Sequence, residues 1–492
     1  MFNKIKIFLI FITFLLLGTY LTISFIFYFD KISPEQNYIN KEINNTIEEE
    51  VKNKNENKKR ENNNFNISNP EIDRLNYSIG DGKNLKIGLL SDNHIDSDLE
   101  NIYSKIKRKN LKRALTTLKD NKVQVIIITG DLVNSVKDEY YEEWLKIYNE
   151  VYDNSEKPIL ILTMGHSDYN INSIGNKEKI SREKFKQFFN QSTFGNIIIN
   201  NYHFIKYGNL EFENEKKVTG EKFLEEEIKK TINLSKEKNK PIFIISHLNI
   251  LNTVYGSEKK GQTKIKEILN KYNQIIFISG HSHYPLIDER SIHQNNFTSI
   301  QLQSTSFIKI EENYENEVED ELGNNLTSYL NPMGIIMNIN DTQILIQRVF
   351  LLENKIYNYN WIIKNPIFKS DFLYEENKRN LNIDSPYFDN NFNQINFYES
   401  EDKNLGKAKF VSFKQAKHKL FVHSYLLIFE NDNFKTELKY ISDFYLFEKD
   451  RKDIITLRIK KLFDKGKYNL KIYAIDCFNQ LSKNYLTTNV DF

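Results

Sequence analysis

Leu85-Lys86-Ile87-Gly88-Leu89-Leu90-Ser91-Asp92-Asn93-His94 is a short apolar run that ends in a carboxylate and an imidazole two residues apart. A run of this length reads as a buried strand, which places Asp92 and His94 in the loop after its carboxyl end. The arrangement recurs downstream. Residues 123–129 are β-branched and lead to Gly130-Asp131, and residues 158–164 lead to Gly165-His166-Ser167-Asp168. Residues 241–246 lead to His247, and residues 274–279 to Gly280-His281-Ser282-His283. Between these runs, apolar spacing through Ile102, Ile106, Leu111, Leu115 and Leu118 predicts a helix. Further helices are expected around residues 140–151, 183–189, 221–236 and 264–269. Buried, mostly parallel strands alternating with helices define an α/β fold, and such sheets place ligand sites beyond the carboxyl ends of their strands.

Of nine histidines, the five in these loops follow apolar strands, whereas His203, His293, His418 and His423 do not. In extended backbone, residues two apart point the same way, so Asp92 with His94, and His281 with His283, are expected to aim paired ligands at one cavity. Carboxylates and imidazoles together suit manganese, iron, zinc or cobalt, and the set is large enough for two ions, with Asp131 as the natural bridge. Two ions about 3.5–4 Å apart stabilise the attacking and leaving oxygens of an in-line displacement and lower the pKa of a water between them. Phosphoester hydrolysis is the reaction best served. Each motif alone is common by chance; five in order at strand ends are not.

The rest of the chain sets limits. At 492 residues it holds roughly three structural pieces. Lys plus Arg number 68 against 66 Asp plus Glu, so there is no basic excess of the kind that tracks phosphate backbones, and no nucleic acid partner is expected. Cys477 is the single cysteine, which rules out an intrachain disulfide and a cysteine-built zinc site. Residues 7–29 carry no charge after Lys4 and Lys6, and Asp30 and Lys31 close the run. That is about the 20 residues a transmembrane helix needs, and an uncleaved anchor is favoured over a cleaved signal peptide. Basic residues before the run put the N-terminus inside and the remainder on the extracytoplasmic face, although Lys31 and Lys41 oppose this. Residues 33–69, rich in Asn, Lys and Glu, read as a solvated tether. Towards the C-terminus, short strands at 409–413, 422–429, 436–440, 454–459 and 467–475 give the pattern of a β-sandwich. The expected layout is an anchor over 1–30, a linker over 31–80, a catalytic domain over 81–370 and a β-sandwich over 385–492.

The ordered set Asp92-x-His94, Gly130-Asp131, Gly165-His166-Ser167-Asp168, His247 and Gly280-His281-Ser282-His283 resembles the calcineurin-like metallophosphoesterase family. Its motifs are D-x-H, G-D, G-N-H-D/E, a lone His and G-H-x-H. The resemblance implies a four-layer αββα sandwich and a two-metal centre. Asp92, His94 and His283 would hold the first metal, His247 and His281 the second, and Asp131 both. His166 stands where the family has a metal-binding Asn, and Ser167 where it has a His that protonates the leaving group. Imidazole can replace the amide oxygen, so His166 is a second-metal ligand in one reading; in the other it takes the acid role and leaves that metal a ligand short. Losing the general acid costs roughly 10²- to 10⁴-fold in rate, less for a good leaving group. Asp168 is expected to stabilise the turn, and Tyr255 and Tyr284 to lie in loops bordering the substrate.

Residues 253–257 and 280–286 resemble a bacterial branch with a C-terminal fibronectin-like domain. Residues 466–472 are similar to a late strand of fibronectin type III or immunoglobulin-like domains, with Tyr468 placed for a tyrosine corner. The expected protein is a single-pass, outward-facing phosphoesterase that hydrolyses a phosphomonoester or phosphodiester by metal-activated hydroxide, with Asp131 and His166 as its catalytic residues. The alternative is a surface binding protein on an impaired enzyme fold, motivated by Ser167.

Overall fold

The computed structural model describes residues 72–492, apart from 154, 172–176, 209–217, 235–237, 312, 317–330, 383, 391–393, 403–405 and 462. The apolar run at 7–29 and the tether at 33–69 lie outside the described residues. Among the described ones, no helix is long and apolar enough to cross a membrane.

Fourteen strands build two sheets: β1 (Ile72–Tyr77), β2 (Leu85–Leu90), β3 (Val125–Ile128), β4 (Ile159–Leu162), β5 (Phe194–Ile199), β6 (Tyr202–Tyr207), β7 (Ile242–Ile245), β8 (Ile275–Ser279), β9 (Ile292–Gln294), β10 (Thr298–Gln301), β11 (Met333–Ile339), β12 (Gln343–Phe350), β13 (Lys355–Ile356) and β14 (Trp361–Lys364). One sheet runs β13-β12-β11-β2-β3-β4, with β14 also on β12; the other runs β1-β5-β6-β7-β8-β10-β9. The helices α1 (Ile102–Asp120), α2 (Asp138–Val151), α3 (Lys177–Phe189) and α4 (Val218–Leu234) join them.

The period of two explains the layering. Ile87, Leu89, Val125 and Ile127 of the first sheet pack against Phe204, Phe243, Ile276 and Ile278 of the second. Their strand neighbours Leu90, Ile126, Ile128 and Leu162 instead pack against Leu111, Leu115 and Leu118 of α1 and Trp144 of α2. On the far side, Ile242, Ile244, Ile275 and Phe277 pack against Leu224 and Ile228 of α4. Strands buried on both faces must read as continuous apolar runs, as Val125-Ile126-Ile127-Ile128 does. The result is the expected α/β sandwich of two sheets between helices.

Some elements differ from expectation. β1 lies inside the stretch read as linker and pairs in parallel with β5 from Ile72↔Phe194 to Tyr77↔Ile199. The β5–β6 hairpin turns at Asn200 and Asn201, both at positive φ (48° and 61°), a turn that Asn tolerates but announces less plainly than Asn-Gly. The chain after β10 (Thr298–Gln301) leaves the sheet, and its polar groups bind the loop after β2.

Beyond these sheets lie β15 (Ile395–Asp402), β16 (Gly406–Lys414), β17 (Ser424–Asn431), β18 (Phe434–Ile441), β19 (Ile454–Ile459), β20 (Lys467–Ile475) and β21 (Leu486–Asp491). They form a three-stranded sheet, β15-β16-β19, and a four-stranded one, β18-β17-β20-β21. Val411, Phe413, Tyr425, Leu427 and Leu470 fill the core between them. The Tyr468 hydroxyl donates to the carbonyl of Asp464 at 3.1 Å, the geometry of a tyrosine corner.

This sandwich is fused to the first two sheets. Phe421, Ile441, Phe444, Tyr445 and Cys477 belong to the same core as Leu286, Ile292 and Phe372. His423 is 3% exposed at this junction, while the His418 imidazole meets the carbonyl of Asp384 at 2.8 Å. Arg290 binds the Asp288 carboxylate through Nε and Nη2 (3.0 and 2.8 Å), reaches Glu311 at 3.0 Å and donates to His423 Nε2 at 3.1 Å. Burial, reinforced by Arg290, pushes the His423 imidazole down to about 4 from 6.5. The unfolded chain therefore takes up this proton as pH falls below about 6.5, while the folded chain resists until about 4. Stability is lost across that window and levels off below it. Thermal melts between pH 7 and 4 should show the protein losing up to about 3 kcal/mol more than a His423→Gln variant. Equal losses would show that His423 does not carry the effect.

Candidate metal centre

The loops after β2, β3, β4, β7 and β8 meet. Asp92, His94, Asp131 and His283 form one buried group, and His166, His247 and His281 a second; within each, the ligand atoms lie within 4.8 Å of one another. All seven residues singled out from sequence are thus brought together.

The local backbone is not the extended one expected. Asp92, His94, Asp131, His281 and His283 all have left-handed φ, between 48° and 69°. Their side chains converge because the chain coils tightly after each strand. Non-glycine residues there cost energy, and such conformations concentrate at functional sites. Close approach also dictates two glycines. A Cβ on Gly165 would lie 2.6 Å from the Asp131 backbone nitrogen, and one on Gly280 would lie 2.5 Å from Asp92 Oδ2 and collide with the Ser91 hydroxyl.

Hydrogen bonds fix which atoms face inward. His247 Nδ1 lies 2.9 Å from the Thr129 carbonyl and His283 Nδ1 3.1 Å from the Phe307 carbonyl, so each carries its proton there and turns the Nε2 lone pair inward. His283 Nε2 then sits 3.2 Å from His94 Nε2 and 3.0 Å from Asp92 Oδ1. Asp131 Oδ1 accepts the Ser167 N–H at 2.8 Å, leaving Oδ2 3.4 Å from His94 Nε2 and 3.5 Å from His247 Nε2, between the two groups. Asp92 Oδ2 accepts the His281 N–H at 3.0 Å and the Ser91 hydroxyl. Asp92 Oδ1 and His247 Nε2 are buried with no hydrogen-bond donor. Converging lone pairs without donors repel one another unless a cation lies among them, and this donor set fits a divalent ion.

The charge states of Asp92, His94 and His281 agree. Burial opposes ionisation of Asp92, but His283, His247 and His94 hold its carboxyl well below the usual range. Burial drives His94 down to about 4, and burial with His247 and His166 nearby drives His281 down to about 2, so both imidazoles are neutral, the form that ligates. His247 moves upward despite burial, because Asp131 and Asp92 face it.

The departures from the family pattern have definite places. His166 is the exposed member of its group, with its ring 4.8 Å from that of His281 and 5.7 Å from that of His247. The Ser167 hydroxyl lies 3.4 Å from His94 Nδ1. Asp168 stands outside both groups and accepts the N–H groups of Gly165, Leu132 and Val133 at 2.8, 3.2 and 3.1 Å. Tyr255 and Tyr284 are 4% and 8% exposed and packed together at 4.4 Å, with Arg290 3.9 Å above Tyr255; they belong to the junction with the C-terminal sandwich rather than to open loops. Sequence reasoning missed the supports, chiefly Thr129, Phe307 and Asn93, whose amide links Trp144 to Thr305. Only the buried hydroxyl run Ser304-Thr305-Ser306 signals them.

Residues 85–285 match the calcineurin-like phosphoesterase family, so this stretch is a calcineurin-like metallophosphoesterase domain. Among solved structures, the chain is similar to purple acid phosphatase PPD1 from yellow lupin (Lupinus luteus) seeds, at 10% identity and a TM-score of 0.40. That match covers 57% of this chain and 54% of the lupin protein, about half its length. It is also similar to a dimetal phosphatase from Danio rerio, at 12% identity and a TM-score of 0.36, covering 57% of this chain and 98% of that one. No curated protein matches the sequence.

Proposed function

We propose that the protein is a divalent-metal-dependent phosphoesterase acting on a phosphomonoester or phosphodiester, tethered to a membrane by residues 7–29 with its catalytic domain on the extracytoplasmic side. The observation that carries the hydrolase reading is the convergence of two ligand groups with Asp131 Oδ2 between them. Asp92, His94, Asp131 and His283 would hold one cation; Asp131, His166, His247 and His281 would hold the other. When bound, such ions supply a nucleophile at neutral pH and stabilise charge on the phosphoryl group. The chain's own residues set the stage for this. Asp131 is locked by the Ser167 N–H so that one oxygen serves both groups, and His247 and His283 are locked as Nε2 acceptors. With Ser167 in place of an imidazole acid, the site suits leaving groups that depart without a proton. The layout proposed is an anchor over 1–30, a linker that ends before β1, a catalytic domain from β1 to about residue 370 and a fibronectin- or immunoglobulin-like sandwich over 385–492.

The test is removal and return of metal. Purified protein should contain divalent metal; chelation should abolish hydrolysis of generic phosphomonoester or phosphodiester reporters, and manganese, iron, zinc or cobalt should restore it. The Ser167 hydroxyl beside His94 favours a second reading, a binding protein on an enzyme fold. Metal retained with no turnover of either reporter supports that reading, and neither metal nor turnover overturns both.

A further inference from the structure

The loops after β2 and β8 share one neighbour, the irregular stretch after β10, which lies beyond the family-matched residues 85–285. In it the buried Ser304 hydroxyl donates to the Asp92 carbonyl at 2.8 Å and accepts the N–H groups of Ser306 and Phe307 at 3.0 and 3.2 Å. The tight turn so closed presents the Ser306 N–H to the same Asp92 carbonyl at 3.3 Å and the Thr305 N–H to that of Ser91 at 3.0 Å. It also aims the Phe307 carbonyl at His283 Nδ1, 3.1 Å away, with the Phe307 ring 4.3 Å from the His283 ring and 5.4 Å from that of His94. One hydroxyl therefore ties the left-handed backbone of Asp92 to the proton position on His283.

The proton position matters because the two imidazole tautomers have opposite consequences. With the proton on Nδ1, His283 Nε2 offers a lone pair to the four-residue group. With the proton on Nε2, it donates to Asp92 Oδ1, 3.0 Å away, and the pair closes on itself. The partner of the other nitrogen decides between them. We infer that Ser304 is a positioning residue: by holding the Phe307 carbonyl on His283 Nδ1, it keeps the group of Asp92, His94, Asp131 and His283 open to a divalent cation. This rests on the metal-centre reading above.

The test compares the full-length protein with Ser304→Ala and Ser304→Thr. In metal-free protein near pH 8, long-range nitrogen–proton spectra of ¹⁵N-histidine-labelled protein should show His283 as the Nδ1–H tautomer. Ser304→Ala should shift it towards Nε2–H, weaken manganese binding at the four-residue group by roughly 10- to 100-fold and leave the three-histidine group unchanged; Ser304→Thr should restore both readouts. An unchanged tautomer and affinity in Ser304→Ala overturns the inference, as does equal weakening at both groups together with a lowered melting temperature. If the unmodified protein binds no divalent metal while the tautomer still shifts, the phosphoesterase reading falls and the role of Ser304 in orienting His283 stands.

Discussion

Asp131→Asn should lower turnover of a phosphoester reporter by roughly 10²- to 10³-fold while leaving the fold intact. Asn has the shape of Asp, and the Ser167 N–H at 2.8 Å demands an acceptor, so the amide oxygen takes the Oδ1 place. The NH₂ group then occupies the Oδ2 place and donates to the inward lone pairs of His94 and His247, 3.4 and 3.5 Å from the present oxygen. Both ligand groups lose their shared anion and one imidazole lone pair each. Removing this charge also relieves Asp168, whose carboxyl is pushed up to about 7 by burial and by Asp131, so the melting temperature should hold or rise. Kinetics, metal content and a thermal melt on one preparation check all of this. Wild-type turnover in the variant would end the two-cation proposal.

Phe444→Ala should destabilise the protein by about 3–5 kcal/mol, although Phe444 lies in the C-terminal part of the chain. Its ring is 1% exposed, stacks on Phe421 at 4.6 Å and touches His423 and Tyr445 at 5.1 and 5.8 Å, in the core that continues into the two large sheets. Glu315 and Asn316 bind the backbone of β18, and Arg379 binds the carbonyls of Glu289 and Ile292 from the connector between the modules. A fragment ending near residue 385 should accordingly melt without a cooperative transition and lack turnover. A soluble truncated fragment with full activity would show instead that the sandwich is a mere spacer.

The parts of the fold that sequence made legible are those with one dominant signal. Val125-Ile126-Ile127-Ile128 has no reading but a doubly buried strand, and the five ligand loops stood out because polar residues followed such runs each time. β1 was hidden because Ile72-Asp73-Arg74-Leu75-Asn76-Tyr77 is polar at half its positions, as befits an edge strand, and its Asp73 and Arg74 find partners only in the folded chain, Lys206 and Glu227. The burial of His423 is hidden for the same reason: its partner there is Arg290, 133 residues away. Ligand identity is local and shows in sequence; orientation depends on carbonyls such as those of Thr129 and Phe307, which every residue possesses and no motif records.

The left-handed backbone at Asp92, His94, Asp131, His281 and His283 restricts how such a protein can decay. Most side chains lose about 1–2 kcal/mol there, β-branched ones more, whereas Asn and Gly are admitted cheaply. A descendant freed from selection on these side chains would still be selected for folding. Its vacated positions should drift towards asparagine and glycine rather than valine, isoleucine or threonine, leaving a recognisable scar in the sequence.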